Sequence, residues 1–143
     1  MISETLSPQD ALVSVMIAVS VADEEMTASE MATIEGIVDH LPVFAGYDKD
    51  RVTSVSGLVE ELFGDDDGID ALVGLVAQVL PEHLCETAYA LACDVAAADG
   101  TVKMTELKLL EILRHDLSVG RLASAAIERG ARARYQRAEP RGI

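Results

Sequence analysis

Two stretches of this chain, 76 positions apart, carry the same pattern of apolar and acidic residues. In each stretch an apolar stripe at helical spacing ends in an Asp, and a Glu seven positions later precedes a second stripe. Apolar residues that recur every three or four positions indicate amphipathic α-helices. The pattern therefore predicts a duplicated helix–loop–helix unit. The paired positions are Val15 with Leu91, Val19 with Val95, Ala22 with Ala98, Asp23 with Asp99, Glu30 with Glu106, Met31 with Leu107, Ile34 with Leu110, Ile37 with Leu113 and Leu41 with Leu117.

Start and stop signals along the chain predict seven helices. Ser7 is a typical N-cap for the first helix, and Pro8 suits its first helical position. Thr27 with Glu30 forms a capping box for the second helix. The remaining helices are predicted from about Asp48 to Gly64, over about 69–80, from Pro81 to about Ala98, over about 104–115, and from near Ser118 to about Arg134. Leu107, Leu110 and Leu113 are the expected buried face of the sixth helix.

These signals predict an all-α fold, a compact helical bundle of about seven helices built from two pseudo-twofold-related helical hairpin repeats. A chain of 143 residues favours one domain over 1–143. Repeat one covers about 8–64, a connecting helix about 65–80, and repeat two about 81–135. The first and fifth helices should be central, because their stripes are small and apolar. Aromatic residues make up only 3% of the chain, so the core must be aliphatic.

Charge is distributed unevenly along the chain. The net charge is −14, which argues against nucleic acid as a partner because phosphates would be repelled. Residues 1–102 hold 20 acids and 2 bases, whereas residues 103–143 hold 5 acids and 9 bases. The predicted last helix carries much of this positive charge. It is expected to be a solvated face, with a protein partner, a second copy of the chain or an anionic membrane surface as alternative contacts.

The two cysteines and the lengths of the apolar runs indicate in which cellular compartment the protein is expected. Cys85 and Cys93 lie about 12 Å apart on one predicted helix, too far for an intrachain disulfide. Free thiols fit a reducing compartment, and both are expected to be core residues, with a redox role as the alternative. No signal peptide and no stretch of membrane-spanning length is recognised, so a cytoplasmic location is expected.

The hairpin loops supply the candidate site. Each loop brings an Asp at the end of one helix near a Glu in the first turn of the next, which gives Asp23, Glu30, Asp99 and Glu106. Hard divalent cations such as Mg²⁺, Ca²⁺ or Mn²⁺ prefer such oxygen ligands. The competing interpretation is purely structural, since acidic residues in a first turn cap exposed amides and favour the helix dipole.

The second loop resembles a known family. The segment from Ala92 to Gly100, followed by Glu106, Leu107 and Leu110, is similar to the TerB family of tellurite-resistance-associated proteins, and Val21-Ala22-Asp23 with Glu30 resembles the partner repeat. The resemblance implies a compact seven-helix cytoplasmic domain linked to resistance to tellurite and other chemical stress. It also implies candidate metal sites at the acidic loop positions, which here are Asp23, Glu30, Asp99 and Glu106.

The two loops differ in ways that bear on this site. The second loop has the turn Asp99-Gly100, and Glu24-Glu25 replaces this turn in the first loop, so equal metal affinity of the loops is not expected. Lys103 stands where Thr27 caps the earlier helix, which weakens the capping interpretation of Glu106.

Other polar clusters favour structural roles. Asp65-Asp66-Asp67 precedes a helix and lacks the later Glu of a calcium loop, and His40 and His115 fall near helix ends. The exposed arginines predicted for the last helix are Arg121, Arg129, Arg132, Arg134 and Arg137.

The function expected from these features is a non-enzymatic stress-response module that binds partners and a divalent cation. The alternatives are a protein-interaction scaffold without metal and, more remotely, a metal-assisted enzyme.

Overall fold

A computed structural model describes residues 6–22, 26–98, 100 and 102–139. All regular structure in these residues is helical: α1 (Pro8–Val21), α2 (Ala28–His40), α3 (Arg51–Phe63), α4 (Gly68–Val79), α5 (Cys85–Ala97), α6 (Met104–Asp116) and α7 (Arg121–Arg134). Short 3₁₀ turns at Pro42–Phe44 and Glu82–Leu84 precede the loop to α3 and the start of α5. The all-α class and the number of helices are as the sequence predicted.

Helix α1 lies at the centre of the bundle. It packs against α3, α4 and α5, with further contacts to α2 and α6. Every residue from Asp10 to Ser20 is buried, so α1 is covered on all sides. Helix α5 is the second central element and packs against α1, α6 and α7. The core is mainly aliphatic, as the composition requires, and Phe44 and Tyr89 are its buried aromatic residues within the described ranges.

Local signals set the beginnings of α1 and α2 as predicted. The Ser7 hydroxyl accepts from the Asp10 amide at 3.0 Å, and the Asp10 carboxylate accepts from the Ser7 amide at the same distance. Thr27 and Glu30 form the matching pair of bonds, at 3.1 and 3.0 Å. Each reciprocal pair satisfies two amides that a helix start leaves without intrahelical partners.

The beginnings of α3 and α5 differ from the predictions by a few residues. Helix α3 begins at Arg51 because Asp48 first forms a turn, in which its carboxylate accepts from the Asp50 amide at 2.9 Å. Helix α5 begins at Cys85, because the residues after Pro81 form a 3₁₀ turn.

Helix α7 begins at Arg121 because Ser118 closes the preceding helix. Ser118 has a left-handed φ of 56°. Its amide donates to His115 O, and the Val119 amide donates to Arg114 O. This pair of bonds is a Schellman motif that ends α6. Gly120 is then the N-cap of α7.

One turn depends on a glycine. Gly68 is buried where α4 follows α3, and a Cβ at this position would lie 2.1 Å from the Leu62 carbonyl oxygen. The acidic run before it is exposed, with Asp67 as the N-cap residue of α4. The expected position of these acids at a helix start is therefore confirmed.

The buried face of α6 differs from the expectation. Leu107 is 48% exposed, whereas Leu109 is 1% exposed and Glu106 is 2% exposed. The buried stripe comprises Glu106, Leu109, Leu110 and Leu113, which turns Leu107 toward the surface. The prediction that Leu107 is a core residue was wrong, because the packing of α6 on α4, α5 and α1 sets the rotation of the helix.

Candidate functional site

Glu30 occupies the third position of α2 and belongs to its buried stripe. It is 4% exposed and shares this stripe with Ile34 and Val38. Its Oε1 accepts from the Thr27 amide at 3.0 Å. Among the described residues, no Lys, Arg or His forms an ion pair with Glu30. Glu30 is therefore a buried carboxylate whose hydrogen bond within the described residues is the one that caps its own helix.

Glu106 occupies the corresponding position of α6. It is 2% exposed, and its Oε1 accepts from the Lys103 amide at 2.9 Å. Lysine has no acceptor atom with which to return a bond to the Glu106 amide, unlike Thr27 in the first hairpin. At α6 the bond from the N-cap amide to the glutamate is therefore kept, although Lys103 stands where the first hairpin has Thr27.

Glu30 and Glu106 each lie in the first turn of the helix that follows an acidic loop, as the sequence predicted. Asp23 and Asp99, with Glu24 and Glu25, lie outside the described residues. Within the described ranges, no group of three or more His, Cys, Asp or Glu side chains is arranged to hold a metal ion. Carboxylate oxygens are nevertheless the ligands that Mg²⁺, Ca²⁺ and Mn²⁺ prefer, so the chemistry of Glu30 and Glu106 fits a hard cation.

Asp10, at the third position of α1, shows a different arrangement that sequence reasoning missed. Its carboxylate is fully buried. It accepts from Arg51 Nε at 2.9 Å, from Arg51 Nη2 at 2.6 Å and from the Tyr47 hydroxyl at 2.7 Å. Burial by itself would raise the pKa of Asp10, but the bonds from Arg51, Ser7 and Tyr47 outweigh it and lower the pKa to about 2. The Asp10 charge is therefore balanced by a two-pronged arginine bond from α3.

Two further contacts join α5 to α7. The Tyr89 hydroxyl donates to Glu128 Oε2 at 2.6 Å, and burial together with Glu128 raises the pKa of Tyr89. Arg134 forms an ion pair with Asp94. The C-terminal end of α7 is in this way held against Asp94 of α5.

The two cysteines are free thiols, as predicted. Cys93 is buried and Cys85 is half-buried. Burial raises the pKa of the Cys93 thiol to about 12, so the thiol stays protonated near neutral pH. Because the thiolate is the nucleophile, this environment does not favour reaction at Cys93.

The histidines near helix ends have structural contacts. His40 Nδ1 lies 2.9 Å from Gly36 O at the end of α2, and His115 Nδ1 lies 2.9 Å from Asp116 Oδ1 at the end of α6. Both contacts agree with the structural roles expected from the sequence.

A groove of about 710 Å³ lies beside the second hairpin, between α5, α6 and α7. Its floor includes Tyr89, Cys93 and Ala96. Arg114, Arg121 and Arg132 also line it. No sequence signal pointed to this groove, because it depends on the angle at which α6 and α7 lie over α5.

The bundle, in which α2 and α6 each carry a buried glutamate in the first turn, defines an all-α protein. The family model "Tellurite resistance protein TerB" matches residues 9–129, which is most of the chain. The chain therefore belongs to the TerB family. Comparisons with curated proteins and with solved structures gave no significant match.

None of the helices in the described residues has both the length and the apolar character needed to cross a membrane.

Proposed function

We propose that this chain is a non-enzymatic, cytoplasmic module of the response to tellurite and related chemical stress, and that it binds a divalent cation through its two acidic loops. Asp23, Glu30, Asp99 and Glu106 are the proposed ligands. Mg²⁺, Ca²⁺ and Mn²⁺ are the candidate cations, because all of them take carboxylate oxygens. Membership of the TerB family supports the link to chemical stress.

The observation that carries the metal proposal is the burial of a carboxylate at the same place in both hairpins. A buried charge is costly unless it is paired or coordinates a metal. Asp10, at the same helical position of α1, is paired with Arg51. No cation of the described residues pairs with Glu30, which is 4% exposed. A divalent cation held with the neighbouring loop Asp would supply the missing positive charge.

The second support is a relationship between the two halves of the chain, which we propose are pseudo-twofold repeats. Helix α3 packs on α1 as α7 packs on α5, and α2 contacts α5 as α6 contacts α1. A second groove, of about 500 Å³, lies between α2 and α3. Its lining residues Met31, Ile34, Glu35 and Val38 stand 76 positions before Leu107, Leu110, Glu111 and Arg114, which line the groove beside α7.

The test is thermal unfolding after removal of metal by EDTA and then addition of Mg²⁺, Ca²⁺ or Mn²⁺. A cation at 100 times its Kd stabilises by about 2.7 kcal/mol, which should raise the Tm of a domain of this size by about 5–10 °C. Asp99→Asn with Glu106→Gln should remove most of this gain. Asp23→Asn with Glu30→Gln measures the contribution of the first loop.

A matched control separates coordination from general charge. Asp65→Asn with Glu61→Gln removes the same two charges from exposed positions and should leave the gain intact. Absence of any Tm shift at 5 mM of each cation would contradict the metal proposal. So would a shift that survives all four loop substitutions.

Protein partners are proposed as the route by which the module acts. The net charge of −14 disfavours nucleic acid. Arg121 and Arg132 on α7 are exposed and give the chain a basic face. Binding to an acidic partner through this face should weaken as NaCl rises, because salt screens exposed charges.

A further inference from the structure

The groove between α6 and α7 has a length and shape that could accommodate one further helix. Both helices pack on α5 and leave the space above it open. The α7 wall includes residues at spacings of three, four and seven, so one whole stripe of this helix faces the groove. From Arg121 to Tyr135 this stripe is about 21 Å long at 1.5 Å per residue. The wall comprises Arg121, Ser124, Ala125, Glu128, Ala131 and Arg132 of α7 and the C-cap residue Tyr135.

Small side chains allow close approach along this stripe. Ala96 and Ala97 of α5 and Ala125 and Ala131 of α7 all line the groove. Small residues at a contact let two helix backbones come close together, so the groove can admit a helix as well as loose side chains. A stripe of this length matches about four turns of a partner helix.

The lip of the groove is apolar and exposed. Val102 and Leu107 line it and are 38% and 48% exposed, and the neighbouring Met104 is 78% exposed. Among the described residues, these three are the majority of the five exposed large apolar side chains. Exposed apolar side chains beside a groove favour contact with an apolar ligand surface.

The rim of the groove is positive in a chain that is otherwise strongly acidic. Arg114, Arg121 and Arg132 line the groove, and none of them forms an ion pair within the described residues. Two acids, Glu111 and Glu128, line it as well, and Glu128 already accepts the Tyr89 hydroxyl. The excess of arginines selects a ligand with negative charge beside its apolar surface.

We propose that this groove docks an amphipathic helix of a partner protein, with an apolar ridge flanked by Glu or Asp. The ridge packs on the alanines and the Leu107 lip, and the flanking carboxylates meet Arg114, Arg121 and Arg132. This mode is helix-in-groove recognition, read by anchors at spacings of three and four. It is independent of metal binding at the acidic loops.

The probe is a displayed library of 18-residue helical peptides. Each peptide has a fixed Leu/Ala ridge, and its flanking positions vary among Glu, Lys, Gln and Ser. Selection against the full chain in EDTA should enrich Glu at the flanks. The affinity of the enriched peptides is then measured by fluorescence polarisation.

Two pairs of variants locate the binding site. Arg121→Glu with Arg132→Glu should weaken binding at least tenfold, whereas Arg129→Glu with Arg137→Glu changes the charge equally outside the groove lining and should stay within threefold. Ala125→Trp should block the groove and weaken binding at least tenfold, whereas Ala126→Trp on the exposed surface beside it should not. Circular dichroism of each variant checks that the fold is kept.

Three results would overturn the proposal. The first is that no peptide is enriched, or that the enriched peptides bind equally to Ala125→Trp. The second is that dodecanoate binds the groove while no peptide does, which assigns it to a small amphiphile. The third is a concentration-dependent dimer in sedimentation that Ala125→Trp abolishes, which assigns it to a second copy of the chain.

Discussion

Three helices of this bundle begin with a buried acidic residue at the third helical position: Asp10, Glu30 and Glu106. Each carboxylate accepts the N-cap amide of its own helix. For Asp10, Arg51 supplies the opposite charge from α3. The same local signal thus occurs both in a complete structural network and at the proposed cation ligands, and only the surroundings separate the two.

Loss of the Asp10 carboxylate should be costly. Asp10→Ala breaks a buried, hydrogen-bonded ion pair, which destabilises folding by about 3 kcal/mol in comparable cases. The measurement is urea unfolding at pH 7. Asp39→Ala, which removes the exposed partner of Lys49, is the control and should leave the urea midpoint nearly unchanged.

The same variant should reveal a pH dependence. The pKa of Asp10 falls from 3.8 to about 2 on folding, so the unfolded state binds more protons in this range. The stabilisation is complete above the unfolded pKa and is lost as the pH falls toward 2. The difference between wild type and Asp10→Ala should therefore narrow by about 1 kcal/mol from pH 7 to pH 3, since the half-exposed Arg51 is partly screened by water. A constant difference would contradict this assignment.

At the scale of elements, helix ends follow local chemistry closely. The capping boxes placed the starts of α1 and α2, and the sequence predicted both from Ser7-Pro8 and from Thr27 with Glu30. The start of α7 was missed because Ser118 takes the left-handed position that glycine more often fills in a Schellman motif. A serine at that position gives little warning that the helix before it is ending.

Substitutions at the N-cap residues of α2 and α6 should change the free energy of unfolding in opposite directions. Thr27→Ala removes an acceptor for the Glu30 amide and should cost about 1 kcal/mol. Lys103→Thr introduces such an acceptor at α6 and should gain about 0.5–1 kcal/mol. Urea unfolding in EDTA measures both without a contribution from metal. Thr53→Ala on the exposed surface of α3 is the control, and an unchanged free energy of unfolding in Thr27→Ala would contradict the capping role of Thr27.

At the scale of the whole molecule, the position of α1 organises the bundle. Because other helices cover it on all sides, its side chains have no exposed face to accommodate change. The chain reaches this arrangement with few aromatic residues, by packing Val, Leu, Ile, Met and Ala around one central helix. The grooves lie outside this core, beside α3 and α7.

Truncation of a central leucine should be far more damaging than truncation of a peripheral one. Leu12 is fully buried in α1, so Leu12→Ala should cost about 3 kcal/mol through lost burial and the cavity that remains. Leu122→Ala, at a position 86% exposed on α7, should change the free energy of unfolding by less than about 0.5 kcal/mol. Equal losses in thermal unfolding would contradict the central position of α1.

The sequence by itself determined the helical class, the aliphatic core, the starts of α1 and α2 and the kinship with the TerB family. These properties depend on residues within a few positions of one another, where spacing and capping act directly. Tertiary structure alone decided that Asp10 pairs with Arg51, 41 positions away, that Glu106 and Leu109 rather than Leu107 enter the core, and that α6 and α7 leave a groove. Those outcomes depend on the rotation and crossing of whole helices, which the packing of side chains from distant parts of the chain sets together.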